Sequence, residues 1–293
     1  MLSIITFAKK YIMQSFDVYS TTMEELALRV EAIVKNGLEK ADEQVMLKKI
    51  LSLIDLTTLS GDDTTKRVSD LCAKAISYQD KKLGVSNVAA VCVYPNFAGL
   101  VSELLIPFKV NVACVAGAFP SGQSPLKIRI MEVADAVENG ADEIDMVISR
   151  GKLIEGNSSY VLDEVKTIKK ACGKAHLKVI LETGELKTVD LIRQASELSI
   201  LGGADFIKTS TGKINPAATP EAFLIMLDTI KEYHEKTGKM IGIKPAGGIS
   251  LPSEAFIYYI LVAEVLGDNW LTSDYFRIGA SRLADNVYNE IDN

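Results

Sequence analysis

The chain has 293 residues, of which 48% are hydrophobic and 24% charged, and its formal net charge is −6. This is the composition of a globular protein with ample apolar material for a core. The net charge is acidic and no lysine- or arginine-rich block is present, which argues against nucleic-acid and membrane partners. A phosphate or another small anion could still bind. The four cysteines form no CxxC pair, so they predict neither a disulfide framework nor a zinc knuckle and fit a reducing, cytoplasmic location.

The first 46 residues predict a helical extension. They contain the amphipathic run MEELALRVEAIV, and they begin with an apolar segment followed by Lys9 and Lys10. That order of apolar and basic residues is the reverse of a signal peptide, and the apolar run is too short to cross a bilayer. We therefore expect an accessory helix before the main domain.

From about residue 47 the chain alternates between short Val- and Ile-rich runs and helical stretches. Apolar residues recur at helical spacing over 126–139 and 189–201, and Thr219 followed by Pro220 is typical of a helix start. The apolar runs predict eight strands, at 51–56, 88–94, 110–116, 142–148, 177–182, 204–209, 240–244 and 275–279.

Eight β-α units in succession predict a (β/α)8 TIM barrel over residues 47–293, preceded by the N-terminal helical extension over 1–46. A doubly wound open sheet would have fewer units and a glycine-rich dinucleotide turn after its first strand. This chain has TTLSGDDT at that place. Active sites of such barrels lie at the carboxyl ends of the strands, so the polar residues there are the candidates for chemistry.

Two lysines near strand ends are the strongest candidates. In ADFIKT, Lys208 alternates with Ile207, and in MIGIKP, Lys244 alternates with Ile243. If the isoleucines pack against the outer helices, both amines point into the barrel on neighbouring strands. Burial and a like charge both favour the neutral amine, which can attack a carbonyl to form an imine. The alternative, an ordinary ion pair or a lysine extended to the barrel mouth, would be preferred for one lysine alone.

Three further candidate residues lie in or at the ends of the predicted strands. Asp145 in ADEIDMV fits either proton transfer or a buried salt bridge. Asp55, at the end of LSLID, allows the same two roles, of which the structural one, positioning Lys244, is preferred. Cys92 in AVCVYP lies near the expected substrate position, although an isolated thiol is more often part of the core.

Glycine-rich segments after the last three strands predict a phosphate-binding rim. They are TSTGK (209–213), PAGGI (245–249) and GAS (279–281). Small residues allow backbone N–H groups to approach an anion, and Lys213 adds a positive charge. The loops after strands 7 and 8 form the usual phosphate site of barrel enzymes.

The chain has two histidines, His176 and His234, well apart in sequence. A catalytic zinc site of the expected kind needs a cluster of imidazoles, so the sequence predicts no zinc. No other cofactor is expected.

Seven motifs in order, from about residue 47 to about 290, resemble the deoxyribose-phosphate aldolase family. They are DLTTLSGDDT, AVCVYP, GADEIDMV, ETGELK, ADFIKTSTGK, IKPAGGI and FRIGAS. The resemblance implies a metal-free class I aldolase on a barrel fold. It implies reversible cleavage of the phosphorylated sugar 2-deoxy-D-ribose 5-phosphate to acetaldehyde and D-glyceraldehyde 3-phosphate, in deoxynucleoside catabolism. It also suggests a homodimer.

The motif match also implies residue roles. Lys208 is similar to the imine-forming lysine of the family, Lys244 to the neighbour that lowers its pKa, and Asp145 to the carboxylate that relays protons with a water. Asp55, Thr57 and Cys92 are taken as supporting residues. The phosphate cradle is expected to consist of Gly212, Lys213, Gly247, Gly248, Gly279 and Ser281.

Two positions depart from the family pattern. Ser250 stands where some members have a basic residue, and Arg282 stands where a second serine is common. Tyr288 is the candidate for a terminal tyrosine that some members bring into the site. Two alternatives to the main interpretation are an imine-forming aldolase for another phosphorylated sugar and a catalytically silent barrel that binds a phosphosugar.

Overall fold

A computed structural model describes residues 16–292. Eight short strands form one parallel sheet in the order β7-β6-β5-β4-β3-β2-β1-β8. The two end strands meet through the bridges Ile243–Phe276 and Ala246–Gly279, so the sheet closes into a barrel. The strands are β1 (Ile54–Thr57), β2 (Ala90–Val93), β3 (Asn111–Ala116), β4 (Glu143–Val147), β5 (His176–Ile180), β6 (Phe206–Lys208), β7 (Gly242–Lys244) and β8 (Ile278–Ala280).

Helices precede the barrel and follow its strands, so the predicted (β/α)8 architecture is confirmed. They are α1 (Met23–Leu38), α2 (Glu43–Leu51), α3 (Thr65–Ser77), α4 (Ala98–Leu105), α5 (Leu126–Glu138), α6 (Arg150–Ile154), α7 (Ser158–Ala171), α8 (Thr183–Leu186), α9 (Val189–Leu201), α10 (Pro220–Thr237), α11 (Pro252–Leu266) and α12 (Leu283–Asp292). Within residues 16–292, no helix has both the length and the apolar character needed to cross a bilayer.

All eight predicted strands are present, but the first and the last each begin three residues later than predicted. The last spans 278–280 instead of 275–279. The predicted strand 51–56 begins at Ile54, because Leu51 is the last residue of α2. The predicted helix start at Thr219 is confirmed, since its side chain accepts a hydrogen bond from the backbone N–H of Ala222.

The segment before the barrel packs on outer helices α10 and α11. Asp228 of α10 accepts hydrogen bonds from the Tyr19 hydroxyl at 2.7 Å and from both terminal nitrogens of Arg29 at 2.6 and 2.7 Å. The helix predicted in the extension is thus confirmed over Met23–Leu38, whereas the expectation for residues 1–15 lies outside the described residues. Helix α2 crosses residue 46, so the division into two domains there stays a prediction.

Candidate active site

The two candidate lysines lie side by side inside the barrel. Lys208 of β6 and Lys244 of β7 are register partners, and the side chains are almost completely buried. Their neighbours Ile207 and Ile243 belong to the core between strands and helices. The predicted inward orientation of both amines is confirmed.

Asp145 of β4 binds both amines. Its Oδ2 atom accepts a hydrogen bond from Lys208 Nζ at 2.7 Å and from Lys244 Nζ at 2.7 Å. A single carboxylate oxygen therefore lies between the two nitrogens, within the distance at which a proton can be transferred.

Asp55 of β1 holds Lys244 from the opposite side. Its Oδ2 atom accepts from Lys244 Nζ at 2.5 Å, and its Oδ1 atom accepts from Arg277 at 2.7 Å. This is the placement expected for a residue that positions Lys244.

Three charged residues in the same interior were not identified as site residues from the sequence. Lys178 of β5 donates to Glu143 and lies 3.2 Å from Asp145 Oδ1 and 3.3 Å from Asp55 Oδ2. Arg277 donates to Asp55 at 2.7 Å and to Glu143 at 2.6 Å. The alternation that identified Lys208 also marks Lys178 in LKVI, so a signal for it existed.

We call these seven side chains the interior cluster: Asp55, Glu143, Asp145, Lys178, Lys208, Lys244 and Arg277. All seven are buried. Three carboxylates thus face four cationic groups, and the cluster is electrically balanced when one cationic group is neutral. Burial of an uncompensated charge is costly, so this imbalance favours loss of one proton.

The proton is lost most readily from Lys208. Burial has the largest influence on the pKa of Lys208 and lowers it. The negative charge of Asp145 raises this pKa, and the positive charge of Lys244 lowers it. The pKa of Lys208 therefore lies below its ordinary value. Burial also lowers the pKa of Lys244, but the negative charges of Asp145 and Asp55 outweigh burial and raise this pKa. Burial likewise disfavours charged Asp145, yet the three surrounding lysines hold its pKa well below the usual range.

Above the interior cluster lies a cavity of about 400 Å³ at the carboxyl ends of β1, β6, β7 and β8. Lys208 lies in its wall, whereas Lys244, Asp145 and Cys92 do not. Thr57 and all six residues of the predicted cradle line the cavity: Gly212, Lys213, Gly247, Gly248, Gly279 and Ser281. Cys92 is buried beside Ala90, Ala113 and Val115. The structure thus brings the amine and the cradle together.

Close backbone contacts shape this rim. Gly247 has φ +83°, and a Cβ there would lie 2.9 Å from the Cα of Gly212 and 2.7 Å from the Cβ of Ala217. Among residues 16–292, the backbone N–H groups of Gly212, Gly247 and Gly248 have no hydrogen-bond acceptor. Such N–H groups can bind an anion.

Two cations lie at the cavity mouth. Lys213 reaches across it and donates from Nζ to the carbonyl oxygen of Leu59. Arg282 lines the cavity, and its guanidinium forms no salt bridge within the described part of the chain. Ser250 also lines the cavity, but its backbone N–H donates to Glu254 at 2.7 Å. The positive charge near this rim therefore comes from Lys213 and Arg282.

The other candidates lie away from the cavity. Tyr288 of α12 packs against Tyr78, with ring centroids 5.6 Å apart, and is not part of the cavity wall. His176 is exposed at the start of β5, and His234 packs against Trp270. Across residues 16–292, no group of three His, Cys, Asp or Glu side chains is arranged to hold a metal ion.

Comparison with known proteins places the chain among sugar-phosphate aldolases. A profile of the family described as DeoC/LacD family aldolase matches residues 49–269. The chain is 43% identical over 273 residues to the deoxyribose-phosphate aldolase of Mus musculus, covering 88% of this chain and 84% of that protein. It is 42% identical over 280 residues to the Homo sapiens protein of the same name, covering 90% and 86%.

A solved structure gives the same relationship at the level of fold. The deoxyribose phosphate aldolase of Aeropyrum pernix, described as a tetramer, superposes with a TM-score of 0.68 at 26% identity. The match covers 89% of this chain and 97% of that chain.

Proposed function

The chain belongs to the DeoC/LacD family of aldolases, and we propose that it cleaves 2-deoxy-D-ribose 5-phosphate reversibly to acetaldehyde and D-glyceraldehyde 3-phosphate through an imine on Lys208. One observation carries this proposal. Of the four cationic groups in the interior cluster, Lys208 alone lines the cavity, and it is the one whose pKa is lowered. A neutral amine in contact with a substrate cavity is what imine formation needs.

The first step forms the imine. The Lys208 nitrogen attacks C1 of the open-chain sugar, and loss of water from the resulting carbinolamine gives a protonated imine. Its positive charge withdraws electrons from C2. The nitrogen lies 2.7 Å from Asp145 Oδ2, which is close enough to exchange protons with the intermediate.

The second step breaks the bond between C2 and C3. The C3 hydroxyl gives its proton to Asp145 through a water, the C2–C3 electron pair moves toward the imine, and C3 becomes the aldehyde of D-glyceraldehyde 3-phosphate. Asp145 returns this proton through the water to C2 of the enamine left on Lys208, which gives the protonated imine of acetaldehyde. Hydrolysis of the imine then releases acetaldehyde and restores the amine.

The other members of the site support this sequence. Lys244 stays charged, because Asp145 and Asp55 raise its pKa, and its charge favours neutral Lys208. Asp55 holds Lys244 in place at 2.5 Å. Thr57 lines the cavity, and Cys92 is buried in the small apolar cluster with Ala90, Ala113 and Val115.

The phosphate is assigned to the rim. The free N–H groups of Gly212, Gly247 and Gly248 face no competing acceptor in the described chain, and Gly279 and Ser281 complete the wall. Lys213 and Arg282 supply positive charge. The substrate then spans from the imine at Lys208 to the rim within a single cavity.

Three further properties are part of the proposal. A role in deoxynucleoside catabolism follows from the substrate. A cytoplasmic location fits the four unpaired, buried cysteines. A homodimer is suggested by the family resemblance alone, and light scattering after size-exclusion chromatography would distinguish it from a tetramer such as that described for the Aeropyrum pernix relative.

Borohydride trapping tests the central proposal. The protein is incubated with deoxyribose 5-phosphate in EDTA, reduced, and mapped by mass spectrometry. We expect one adduct, on Lys208, which is absent in Lys208→Met and retained in the exposed control Lys239→Met.

Two outcomes would contradict the proposal. The absence of any adduct in folded protein would favour a silent phosphosugar-binding barrel. An adduct that forms more readily with a different phosphorylated sugar would assign the chain to another imine-forming reaction.

A further inference from the structure

Glu182 is a buried carboxylate between β5 and α8, and β5 is the strand that pairs with β6, which carries Lys208. Its side chain is 1% exposed, and its backbone has φ 58° and ψ 60°, the left-handed conformation. The flanking N–H groups of Leu181 and Thr183 donate to the carbonyls of Lys208 and Thr209 at 2.9 and 3.0 Å. A non-glycine residue in this conformation is strained, and such strain persists where the surroundings impose it, often at functional sites.

The carboxylate of Glu182 is bound by Thr211. It accepts the Thr211 backbone N–H at 3.2 Å and the Thr211 hydroxyl. It forms no salt bridge in the described part of the chain, unlike the carboxylates of the interior cluster. A buried carboxylate is tolerated only when its oxygens are well bonded, so Thr211 is held firmly in one orientation.

The same hydroxyl links Glu182 to the rim. Thr211 Oγ1 donates to Glu182 and accepts the backbone N–H of Lys213 at 3.1 Å. Gly212 lies between them with φ +75°, and its own N–H has no acceptor in residues 16–292. Thr211, Gly212 and Lys213 all line the cavity. The direction of the Gly212 N–H and the starting point of the Lys213 side chain thus depend on the bond between Glu182 and Thr211.

A second contact joins α8 to the loop that follows β6. A Cβ on Gly184 would lie 2.0 Å from the carbonyl oxygen of Pro216, so α8 is in direct contact with the far end of the loop that follows β6. This loop is therefore fixed at Thr211 by a carboxylate and at Pro216 by close backbone packing. Between these points lie the residues that we assign to the phosphate.

We propose that Glu182 is a positioning residue that acts through Thr211 to orient the Gly212–Lys213 segment, and so sets the preference for a phosphorylated over a non-phosphorylated sugar. This inference rests on the proposed function for its substrate. The carboxylate itself does not line the cavity, and its two oxygens accept hydrogen bonds from the backbone N–H and the hydroxyl of Thr211. Its effect on the phosphate is consequently exerted by geometry.

The test is Glu182→Gln, which keeps the size of the side chain but replaces one acceptor oxygen by an amide donor. We expect the KM for deoxyribose 5-phosphate to rise about tenfold, as for loss of one charge-assisted hydrogen bond, while kcat stays within about twofold. The KM for 2-deoxyribose should not change. Inhibition of 2-deoxyribose cleavage by inorganic phosphate should weaken by the same factor of about ten.

Glu185→Gln is the matched control. Glu185 lies on α8, three residues after Glu182, is exposed, and pairs with Arg150 instead of Thr211. The same chemical change there should leave both KM values and the phosphate inhibition as they are.

Thr211→Val gives a second, independent route to the same answer. It removes the hydroxyl and keeps the shape, so it should reproduce the KM increase, and the double variant should show no larger increase than either single one. Additive effects, equal losses on both sugars, or unchanged inhibition by inorganic phosphate would overturn the proposal.

Calorimetry with inorganic phosphate separates this inference from the proposed function, because phosphate binding needs no turnover. If the unmodified protein forms no imine but phosphate binding still weakens about tenfold in Glu182→Gln, the proposed reaction fails and the positioning role stands. If imine formation occurs and phosphate binding is the same in both proteins, the positioning role fails and the reaction stands.

Discussion

The interior cluster and the rim of the cavity hold their polar groups in opposite ways. In the interior each of the seven charged side chains contacts at least one group of opposite charge. At the rim the N–H groups of Gly212, Gly247 and Gly248, and the guanidinium of Arg282, have no acceptor or carboxylate partner in the described chain. The interior groups are thus fixed before a substrate arrives, whereas the rim groups are free to bind one.

This difference separates reaction from recognition. A reacting amine must be held near its proton acceptor, and paired charges on rigid strands provide that precision. An anion needs donors that are not already engaged, and glycine turns provide them. Lys208 belongs to both regions, since it contacts Asp145 below and the cavity above. We therefore expect interior substitutions to change kcat, stability or pH dependence, and rim substitutions to change KM.

The largest effect is expected for Asp145→Asn. The substitution removes the shared acceptor of Lys208 and Lys244, and loss of a general acid-base group typically lowers kcat by about 10²- to 10⁴-fold. Removing Asp145 also lowers the pKa of Lys208 further, so the amine remains able to form an imine. Borohydride trapping of acetaldehyde on Lys208 should therefore persist, while exchange of the acetaldehyde methyl protons with D₂O, followed by NMR, should be lost.

The control for this experiment is Asp62→Asn, in the exposed loop after β1, where Asp62 pairs with Arg67. It should trap and exchange like the unmodified protein. Proton exchange that survives in Asp145→Asn would assign the proton transfer to another group.

The next effect is on stability, in Lys178→Met. Lys178 is completely buried and contacts Glu143, Asp145 and Asp55. With Lys208 neutral, removal of Lys178 leaves three carboxylates opposite the two charges of Lys244 and Arg277, and it deprives Glu143 and Asp145 of a direct partner. Breaking a buried ion pair in this way costs about 3–5 kcal/mol, which urea unfolding would measure.

Lys66→Met is the comparison variant, because Lys66 forms an exposed pair with Asp70. Its free energy of unfolding should change by at most about 1 kcal/mol. Equal changes for Lys178 and Lys66 would show that the interior cluster tolerates loss of a partner as readily as the protein surface does.

A shift in pH dependence is expected for Lys244→Met. The reactive form of Lys208 is the neutral amine, so the rate rises with pH through the lowered pKa of Lys208. Without the Lys244 charge, only burial lowers the pKa of Lys208, and Asp145 still raises it. The rise in rate should therefore move to higher pH by about one or two units. At neutral pH this is a loss of about 10- to 100-fold that is largely recovered in alkaline buffer.

Lys244→Arg provides the control, since it keeps a positive charge at this position. Its pH profile should stay near that of the unmodified protein even if its kcat is lower. A profile that moves equally in both variants would point to packing instead of charge.

The sequence predicts the interior only in part, for a physical reason. Alternation within a strand tells which face a side chain occupies, and this suffices for Lys208, Lys244 and Asp145. It does not tell which carboxylates from other strands lie nearest. Burial and a like charge lower the pKa of Lys208 as expected, whereas for Lys244 the carboxylates of Asp145 and Asp55 outweigh burial and keep the amine charged.

The rim shows the complementary limit. Glycine-rich turns after β6, β7 and β8 predict all six cradle residues that line the cavity. No such signal marks Glu182, because a left-handed backbone is not expected at glutamate and its contact with Thr211 arises only when two loops meet. The predicted first strand begins too early, at Leu51, because the apolar spacing of LKKILSLI suits the end of α2 as well as a strand.

The smallest effect is expected for Arg282→Ala, at the rim. Arg282 is exposed, so its attraction for a phosphate is screened, and the KM for deoxyribose 5-phosphate should rise by about two- to fivefold at low ionic strength with kcat unchanged. The difference from the unmodified protein should nearly vanish in about 0.5 M NaCl, where the Debye length falls to a few ångströms. Arg67→Ala is the control, since Arg67 is already paired with Asp62 and Asp63 and does not line the cavity. A KM increase that is insensitive to salt, or one shared with Arg67→Ala, would mean that Arg282 acts on loop structure, and Lys213 would then remain as the cation of the rim.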